Sequence, residues 1–408
     1  MPDLIVVGSG LTGLFAAVLA ARRGAQVCVI SQGRGGLSQA HGSIDVWAGG
    51  APTRAIPQLR DSHPYASFGL HTVRHALDAF SQLMASLDYP FSGDLSTNIT
   101  LPSPLGTPHI TCLVPHSMAA GDLHAPAPIT LLEIPAFRDA PLHLAAETLR
   151  KSGIDVRDVI PAPLPAYEPR RDVYSTEIAR SFDDPEKRME IARAWKPLLS
   201  QTRRVGIPAV LGLASSHQAH AALCDAWGIP VFEIPTLPPS LPGMRLEFHL
   251  RLLATRSGVS FVEGPRVIGR VDGRSGAHRV SGVVSLGAPA PHVYKADAVL
   301  LATGGFLHGG LVATQDGRVQ ESVFDLPLVY QPGREHWVVD APFGSQPYAE
   351  FGVAVNGEMR PIGAGGEPIY ENLFAAGGLL AGSDRAVEGS RQGISLASAY
   401  RAIQMALA

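Results

Sequence analysis

Leu4-Ile5-Val6-Val7-Gly8-Ser9-Gly10-Leu11-Thr12-Gly13 opens the chain and decides how it folds. Its four leading apolar residues read as a short buried strand. The glycines then fall at the spacing G-x-G-x-x-G. A helix is predicted from about Thr12 to Arg23, closed by Gly24, and a second buried strand over Gln26 to Ile30. Each glycine has its own task in such a unit. Gly8 permits the tight turn, Gly10 lets a phosphate approach the backbone, and Gly13 brings helix and strand close together. The helix start adds free N–H groups and a partial positive charge. The segment therefore predicts a site for a dinucleotide or a flavin phosphate. The competing reading is a turn that serves packing alone.

The residues after the second strand refine this. Dinucleotide-binding units usually end that strand with an acidic residue, which accepts hydrogen bonds from the ribose hydroxyls. Here Ser31 and Gln32 stand in its place. Neither offers a charged two-oxygen acceptor, and charge-assisted bonds are roughly twice as strong as neutral ones. A mononucleotide flavin, FMN, has no adenosine to hold and needs no such acceptor. FAD, held by other contacts such as backbone near Val267, is the alternative.

Bulk properties bound the rest. A chain of 408 residues exceeds what one hydrophobic core usually holds, so two domains are expected. The formal net charge of -3 offers no field to draw in nucleic acid. The three cysteines, Cys28, Cys112 and Cys224, form no C-x-x-C pair, so no iron–sulfur, zinc or other metal site is expected. Reduced thiols suit a cytoplasmic location. Leu11 to Ala21 is apolar, but no basic segment precedes it and the glycines mark it as something other than a signal peptide. No stretch reaches the roughly 20 apolar residues that span a bilayer.

Along the chain the character changes near Ala51. Prolines crowd in at 102, 104, 108 and 115 and again at 161, 163 and 165, with short helical stretches such as Val73 to Leu87 and Asp184 to Leu199. The dinucleotide fold resumes near Gly243. It continues through a helix from Arg245 to Arg256, a strand from Val259 to Val262 and a small antiparallel meander. A strand from Val299 to Ala302 and another from Asn372 to Ala375 follow, before a last helix from about Ser390 to Leu407. The expected fold class is α/β: a Rossmann-like FAD/NAD(P)-binding flavoprotein fold with an inserted cap domain. Residues 1–50 and 243–408 would form the flavin-binding part, and 51–242 the inserted cap.

Three later segments separate flavin from a nicotinamide cofactor. Val299-Leu-Leu-Ala-Thr303-Gly304-Gly305 and Asn372-Leu-Phe-Ala-Ala-Gly377-Gly378 are strands entering double glycines. Gly389-Ser-Arg391-Gln-Gly393-Ile-Ser395-Leu396 starts the last helix. Together they resemble flavoproteins of the fumarate reductase and glycerol-phosphate oxidase superfamily. That resemblance implies contacts from Gly304 and Gly377, and the backbone at Ser395 and Leu396 beside the flavin ring. There a helix start would stabilise the negative charge of the reduced form. The dense glycines of Gly35-Gly36-Leu37-Ser38-Gln39-Ala40-His41-Gly42-Ser43 match a segment that lines the ring face in related flavoproteins. They add Gly42 and Ser43 as cofactor candidates. His41 is a candidate base or flavin attachment point, against the plainer reading of a hydrogen-bonded loop histidine.

The middle of the chain carries a narrower match. Pro102-Ser-Pro-Leu-Gly106-Thr107, Gly206-Ile-Pro-Ala-Val-Leu-Gly212 and Glu233-Ile-Pro-Thr-Leu-Pro-Pro-Ser-Leu-Pro-Gly243-Met-Arg245-Leu are similar to the B subunit family of anaerobic glycerol-3-phosphate dehydrogenase. The resemblance implies oxidation of glycerol 3-phosphate in a three-subunit enzyme. By the same resemblance this chain would carry FMN, with which Ser31 agrees, a larger catalytic partner would carry FAD, and a third partner would carry iron–sulfur clusters and the membrane anchor. Electrons would go to quinone, then to fumarate or nitrate. This chain would lie on the cytoplasmic face of the inner membrane, held by a partner. Phosphate-binding candidates are Arg170, Arg171, Arg203, Arg204, Arg245, Arg385 and Arg391. Arg245 and Arg391 lie inside the family motifs, and Asp384 and Glu388 are candidates for orienting loops over the cofactor. An independent flavin oxidase or dehydrogenase of another hydroxy acid or amine, and a flavin-free structural subunit, are the other assignments these residues allow.

Overall fold

The computed structural model describes residues 1–165, 172–272, 278–287, 290–341 and 344–408. Along the chain lie β1 (Leu4–Val7), α1 (Leu11–Arg22), β2 (Val27–Ser31) and α2 (Pro64–Ala85), which breaks at Gly69. Then come β3 (Ile129–Glu133), α3 (Leu142–Lys151), β4 (Val156–Pro161), α4 (Ser175–Asp183) and α5 (Pro185–Trp195). β5 (Val205–Pro208), α6 (Ser216–Trp227), β6 (Val231–Ile234) and α7 (Leu241–Arg256) follow. The last stretch holds β7 (Ser260–Glu263), β8 (Arg266–Asp272), β9 (Val280–Leu286), β10 (His292–Lys295), β11 (Ala298–Leu301), β12 (Leu373–Ala375) and α8 (Arg391–Ala406).

Two compact units divide the chain. One comprises Met1–Gly36, Asp45–Phe80 and Leu250–Ala408; the other comprises Leu37–Ile44 and Ser81–His249. The division differs from the one expected from composition. Residues 51–80 go with the first unit because their polar groups bond there. Tyr65 donates to the Val46 carbonyl, Arg60 to the Gly382 carbonyl, and His63 meets Glu388. Residues 37–44 go with the second, where the Ser240 N–H bonds the Ser38 carbonyl. Composition marks where the chain changes texture, whereas contacts mark where it packs.

The first unit is built on a parallel sheet of order β7-β2-β1-β11-β12. Leu4–Val7 pairs with Val27–Ile30 on one side and Ala298–Leu301 on the other. Every residue of β1, β2 and β11 is buried, as a parallel sheet covered on both faces demands. α1 is buried from Leu11 to Ala20 and packs on α8. β8, β9 and β10 form the expected antiparallel meander.

The second unit holds a sheet that the sequence did not announce. Four parallel strands run in the order β6-β5-β3-β4, with α3 and α6 among the helices that pack against them. Strands of four to six residues set among prolines look the same as loop segments when read singly. Once aligned, they form a doubly wound layer whose order reverses between β3 and β5. Such folds usually place ligands at that reversal. Here the loop leaving β5 for α6 is already filled. The Asp183 carboxylate accepts the N–H groups of Leu213, Ala214 and Ser215 at 3.0, 3.2 and 2.9 Å, and the Ser215 hydroxyl at 2.8 Å. An internal acid thus takes the place of an anion. Asp183→Ala is expected to lower stability by about 2 kcal/mol, the worth of a hydrogen bond to a charged group. A shift of the urea midpoint at unchanged slope is the measurement.

Candidate functional site

The first unit assembles most of the predicted cofactor residues. Gly8 takes φ +110°, and a Cβ there would stand 2.4 Å from the Ala302 carbonyl oxygen. A Cβ at Gly13 would stand 2.0 Å from the Gly8 carbonyl oxygen. These two positions therefore require glycine to join β1, α1 and the end of β11. Gly10 differs. Nothing lies within 4 Å of a Cβ there, so its glycine preserves open space at the start of α1. Ser9 ties this loop to the next by donating to the Gly33 carbonyl at 2.7 Å.

Gly304 and Gly377 leave the ends of β11 and β12 with φ +77° and +70°. A Cβ at Gly377 would meet the Thr12 hydroxyl oxygen at 2.2 Å, so this turn packs on the first turn of α1. The Gly377 N–H donates to the Ser398 hydroxyl at 2.8 Å, which fixes the turn to α8.

Three buried polar atoms around this cradle have no hydrogen-bond partner among the described residues: Ser31 Oγ, Thr303 Oγ1 and Gln392 Oε1. They lie at the end of β2, just after β11 and on the first turn of α8. Buried polar groups are costly unless they are bonded. Orphaned acceptors and donors at three segments that the sequence marked for the cofactor, beside an open glycine at a helix start, suit a polar cofactor. Ser395 and Leu396 are the fifth and sixth residues of α8, so their amides belong to the helical ladder. Among the described residues, the amides at this helix end without a partner are those of Arg391 and Gln392, because the Gly393 N–H bonds the Asp45 carbonyl at 2.8 Å and the Ile394 N–H the Ser390 carbonyl at 3.0 Å. The expected positions, Ser395 and Leu396, thus lie about one turn inside the helix from these amides.

Sequence reasoning missed Arg251. Its guanidinium pairs with Glu263 at 2.6 Å and reaches the Ser9 hydroxyl at 3.5 Å, beside the glycine loop. Glu263 in turn is the register partner of Ser31. An acid is therefore present one strand over from the expected position, but it is engaged by a cation. The sequence offered no signal for either residue, since strand order is not visible in it.

Gly42, Ser43, His41 and Arg245 fall in the second unit. A Cβ at Gly42 would stand 2.4 Å from Pro242 Cβ, so packing accounts for this glycine. Ser43 Oγ lies 2.7 Å from His41 Nδ1 and 3.5 Å from His109 Nε2, and the two imidazole rings are 4.2 Å apart.

Arg245 is corrected outright as a phosphate ligand. Its side chain is 0% exposed, and it grips Glu233 through two bonds of 2.5 and 2.8 Å while donating to the Gly212 carbonyl at 2.7 Å. Glu233 also accepts from the Leu211 N–H and the Ser117 hydroxyl. Burial alone would raise the Glu233 pKa, but the Arg245 charge and these bonds outweigh it and hold the carboxyl below the ordinary range. Arg204 is likewise structural, donating to the carbonyls of Ala120, Asp122 and Ala127. Arg203 is exposed. Arg170 and Arg171 lie outside the described residues.

His249 sits beside this pair, stacked on Tyr89 at 4.8 Å, with neither ring nitrogen bonded among the described residues. Burial and then the Arg245 charge push its pKa down to about 4. The unfolded chain therefore takes up this proton first as pH falls below about 6.5. Stability conferred by the neutral ring is complete above that value and is lost as pH drops toward 4. The slope is up to about 1.4 kcal/mol per pH unit. His249→Phe is expected to flatten urea-unfolding stability between pH 6.5 and 4.5, whereas an unchanged profile would assign the acid sensitivity elsewhere.

The cradle of glycines, orphaned polar atoms and parallel strands suits a nucleotide-type cofactor, and the comparisons make the chain a flavin-dependent oxidoreductase. Residues 3–395 match the FAD binding domain family, to which this chain belongs; it is a flavoprotein. The chain also belongs to the family of anaerobic glycerol-3-phosphate dehydrogenase B subunits. It is 34% identical over 98% of its length to the probable B subunit of Halobacterium salinarum, of which it covers 96%. To the B subunit of Yersinia pseudotuberculosis it is 32% identical, over 97% of this chain and 96% of that one. A solved 3-ketosteroid delta1-dehydrogenase from Sterolibacterium denitrificans superposes over 100% of this chain and 99% of its own, with 12% identity and a TM-score of 0.47.

Proposed function

We propose that this chain is the flavin-bearing B subunit of a quinone-linked anaerobic glycerol-3-phosphate dehydrogenase. In this reading sn-glycerol 3-phosphate is oxidised to dihydroxyacetone phosphate. A catalytic partner carries FAD, and an iron–sulfur partner holds the complex at the cytoplasmic face of the membrane. Electrons leave through these partners to quinone, with fumarate or nitrate as the terminal acceptor. The carrying observation is the 34% identity that runs through 98% of the chain. Among the described residues no helix is long and apolar enough to cross a membrane, so attachment falls to a partner.

The cofactor is FMN in this reading. Gly8, Gly10 and Gly13 with the start of α1 hold its phosphate. Ser31 ends β2 with a neutral hydroxyl, which favours a flavin without adenosine. Gly304 and Gly377 keep side chains off its path, and the free amides of Arg391 and Gln392 face the ring. Bound flavin supplies an acceptor for electrons on their way from the substrate to quinone. The chain's own part is to fix that acceptor and stabilise negative charge beside it.

The test is to purify the full chain, record its visible spectrum, release the cofactor by heat and identify it by mass. FMN supports the assignment together with the role given to Ser31. FAD keeps the flavoprotein and removes that role. A colourless chain that takes up neither flavin overturns the redox reading. Recovery of the chain with two further proteins and iron from solubilised membranes tests the complex.

A further inference from the structure

We propose that Arg251, held in place by Glu263, closes the carboxyl end of β2 to an adenosine and so restricts the cofactor site to a mononucleotide flavin. The proposal deepens the FMN reading given above and rests on it. Its own ground is the strand order of the first sheet and the groups that Arg251 touches.

Strands on one side of that sheet run in the order β7-β2-β1, so β2 lies between the other two. A cofactor with an adenosine places a ribose at the end of the second strand, where an acid usually receives its hydroxyls. In this chain that end is Ser31. Glu263, at the end of β7, is its register partner, and the Gly264 N–H bonds the Ser31 carbonyl at 2.9 Å.

Arg251 comes from the later turns of α7 and reaches both flanking strands. Its Nη1 pairs with Glu263 at 2.6 Å, and its guanidinium carbon lies 5.4 Å from the centre of the Phe261 ring. Phe261 and Glu263 are alternate residues of β7 and so share one face of the sheet. On the other side, Nη2 lies 3.5 Å from the Ser9 hydroxyl, just past β1. Adjacent strands are about 4.8 Å apart, so a single group that meets both β7 and the exit of β1 lies across β2. Ser31 is only 6% exposed, in keeping with a covered strand end.

The loop after β2 closes the same end. Ser9 donates to the Gly33 carbonyl at 2.7 Å, and a Cβ at Gly35 would stand 2.9 Å from Gly10 Cα. Loop and glycine turn are thus packed together beside the guanidinium. FMN ends with its phosphate at the glycine turn and leaves this closure undisturbed. FAD continues past the turn toward Ser31 and has to displace Arg251 from Glu263. A purely structural role explains the pair less well. Glu263 is 43% exposed, and ion pairs that open contribute little to stability.

The test is to titrate the flavin-free full chain with FMN and, separately, with FAD, following flavin fluorescence and recording thermal midpoints. The parent is expected to prefer FMN. Arg251→Ala is expected to strengthen FAD binding about tenfold, the scale of a ribose hydroxyl donating to the freed Glu263 carboxylate. Its FMN affinity and thermal midpoint are expected to stay as in the parent. Glu263→Ala releases the guanidinium but leaves no acid for the ribose, so it is expected to favour FAD by a smaller factor. It decides the question if Arg251→Ala does not fold. Loss of affinity for both flavins in Arg251→Ala would make the arginine a ligand of the phosphate they share and overturn the closure. An unchanged FAD-to-FMN ratio in the folded variants, with a parent that prefers FMN, would overturn it and leave the FMN reading standing. A parent that binds FAD as well as FMN, or takes up neither, would overturn the FMN reading and the closure together.

Discussion

Glu233→Ala is expected to remove about 3–5 kcal/mol of folding stability, the range for breaking a buried ion pair from one side. That is a large share of the roughly 5–15 kcal/mol that keeps a domain folded. The cause is what remains behind. Arg245 would keep its charge at a site with no exposed surface, and the Leu211 N–H and Ser117 hydroxyl would lose their acceptor as well. Replacing both partners with apolar residues, as in Glu233→Leu with Arg245→Met, is expected to recover a substantial part of the loss. Removing both charges avoids an uncompensated one. Urea unfolding of the two single variants and the double variant measures this directly. Near-additive losses would mean that the pair acts as two independent packing residues.

Gly10→Asp is expected to do the opposite: spare the fold and empty the cofactor site. Gly10 has φ -75° and open space around a Cβ, so an aspartate fits without strain. Its carboxylate would then stand at the start of α1, where the helix amides and dipole await a phosphate. An internal anion both repels the cofactor phosphate and satisfies its donors. Flavin affinity is expected to fall by roughly 100-fold, about 2.7 kcal/mol, while stability of the flavin-free chain changes by less than about 0.5 kcal/mol. Reconstitution titrations followed by absorbance, paired with urea melts, separate the two effects. Full flavin occupancy in Gly10→Asp would remove the phosphate from this loop.

The parts of this molecule legible in sequence were those written in short-range chemistry. Leu4–Val7, Val27–Ser31 and Ala298–Leu301 are continuous apolar runs, and glycines punctuate their exits. The meander and the last helix were legible for the same reason. What stayed hidden depends on partners far along the chain or on strand order. Arg245 sits in a distinctive motif, yet its partner Glu233 lies at the other end of that motif, and only folding shows that the two cancel. Motif membership therefore marked a structural pair as a candidate ligand. The sheet from β3 to β6 was missed because its strands are short and set among prolines. Ser31 was read correctly as a non-acid, but Glu263 beside it required knowing that β7 lies next to β2. Of the glycines predicted to meet the cofactor, Gly8, Gly10, Gly13, Gly304 and Gly377 fall in the first unit, and Gly42, with Ser43, in the other.

The first sheet also sets a timetable. Its central strand is made near the beginning of synthesis, but β11 and β12 come from residues 298–301 and 373–375. A ribosome therefore releases Leu4–Val7 long before its second neighbour, β11, exists. During that wait α1, apolar on nearly every side, lacks α8 to pack against. The sheet of the other unit draws only on residues 129–234 and can close while translation continues. The nascent chain thus carries a finished module in its middle and an unsheltered apolar beginning, the sort of intermediate that invites aggregation or chaperone capture. In the proposed reading, flavin loading is expected at the end of synthesis, and chains that stop short of Leu373 are expected to hold the cofactor poorly.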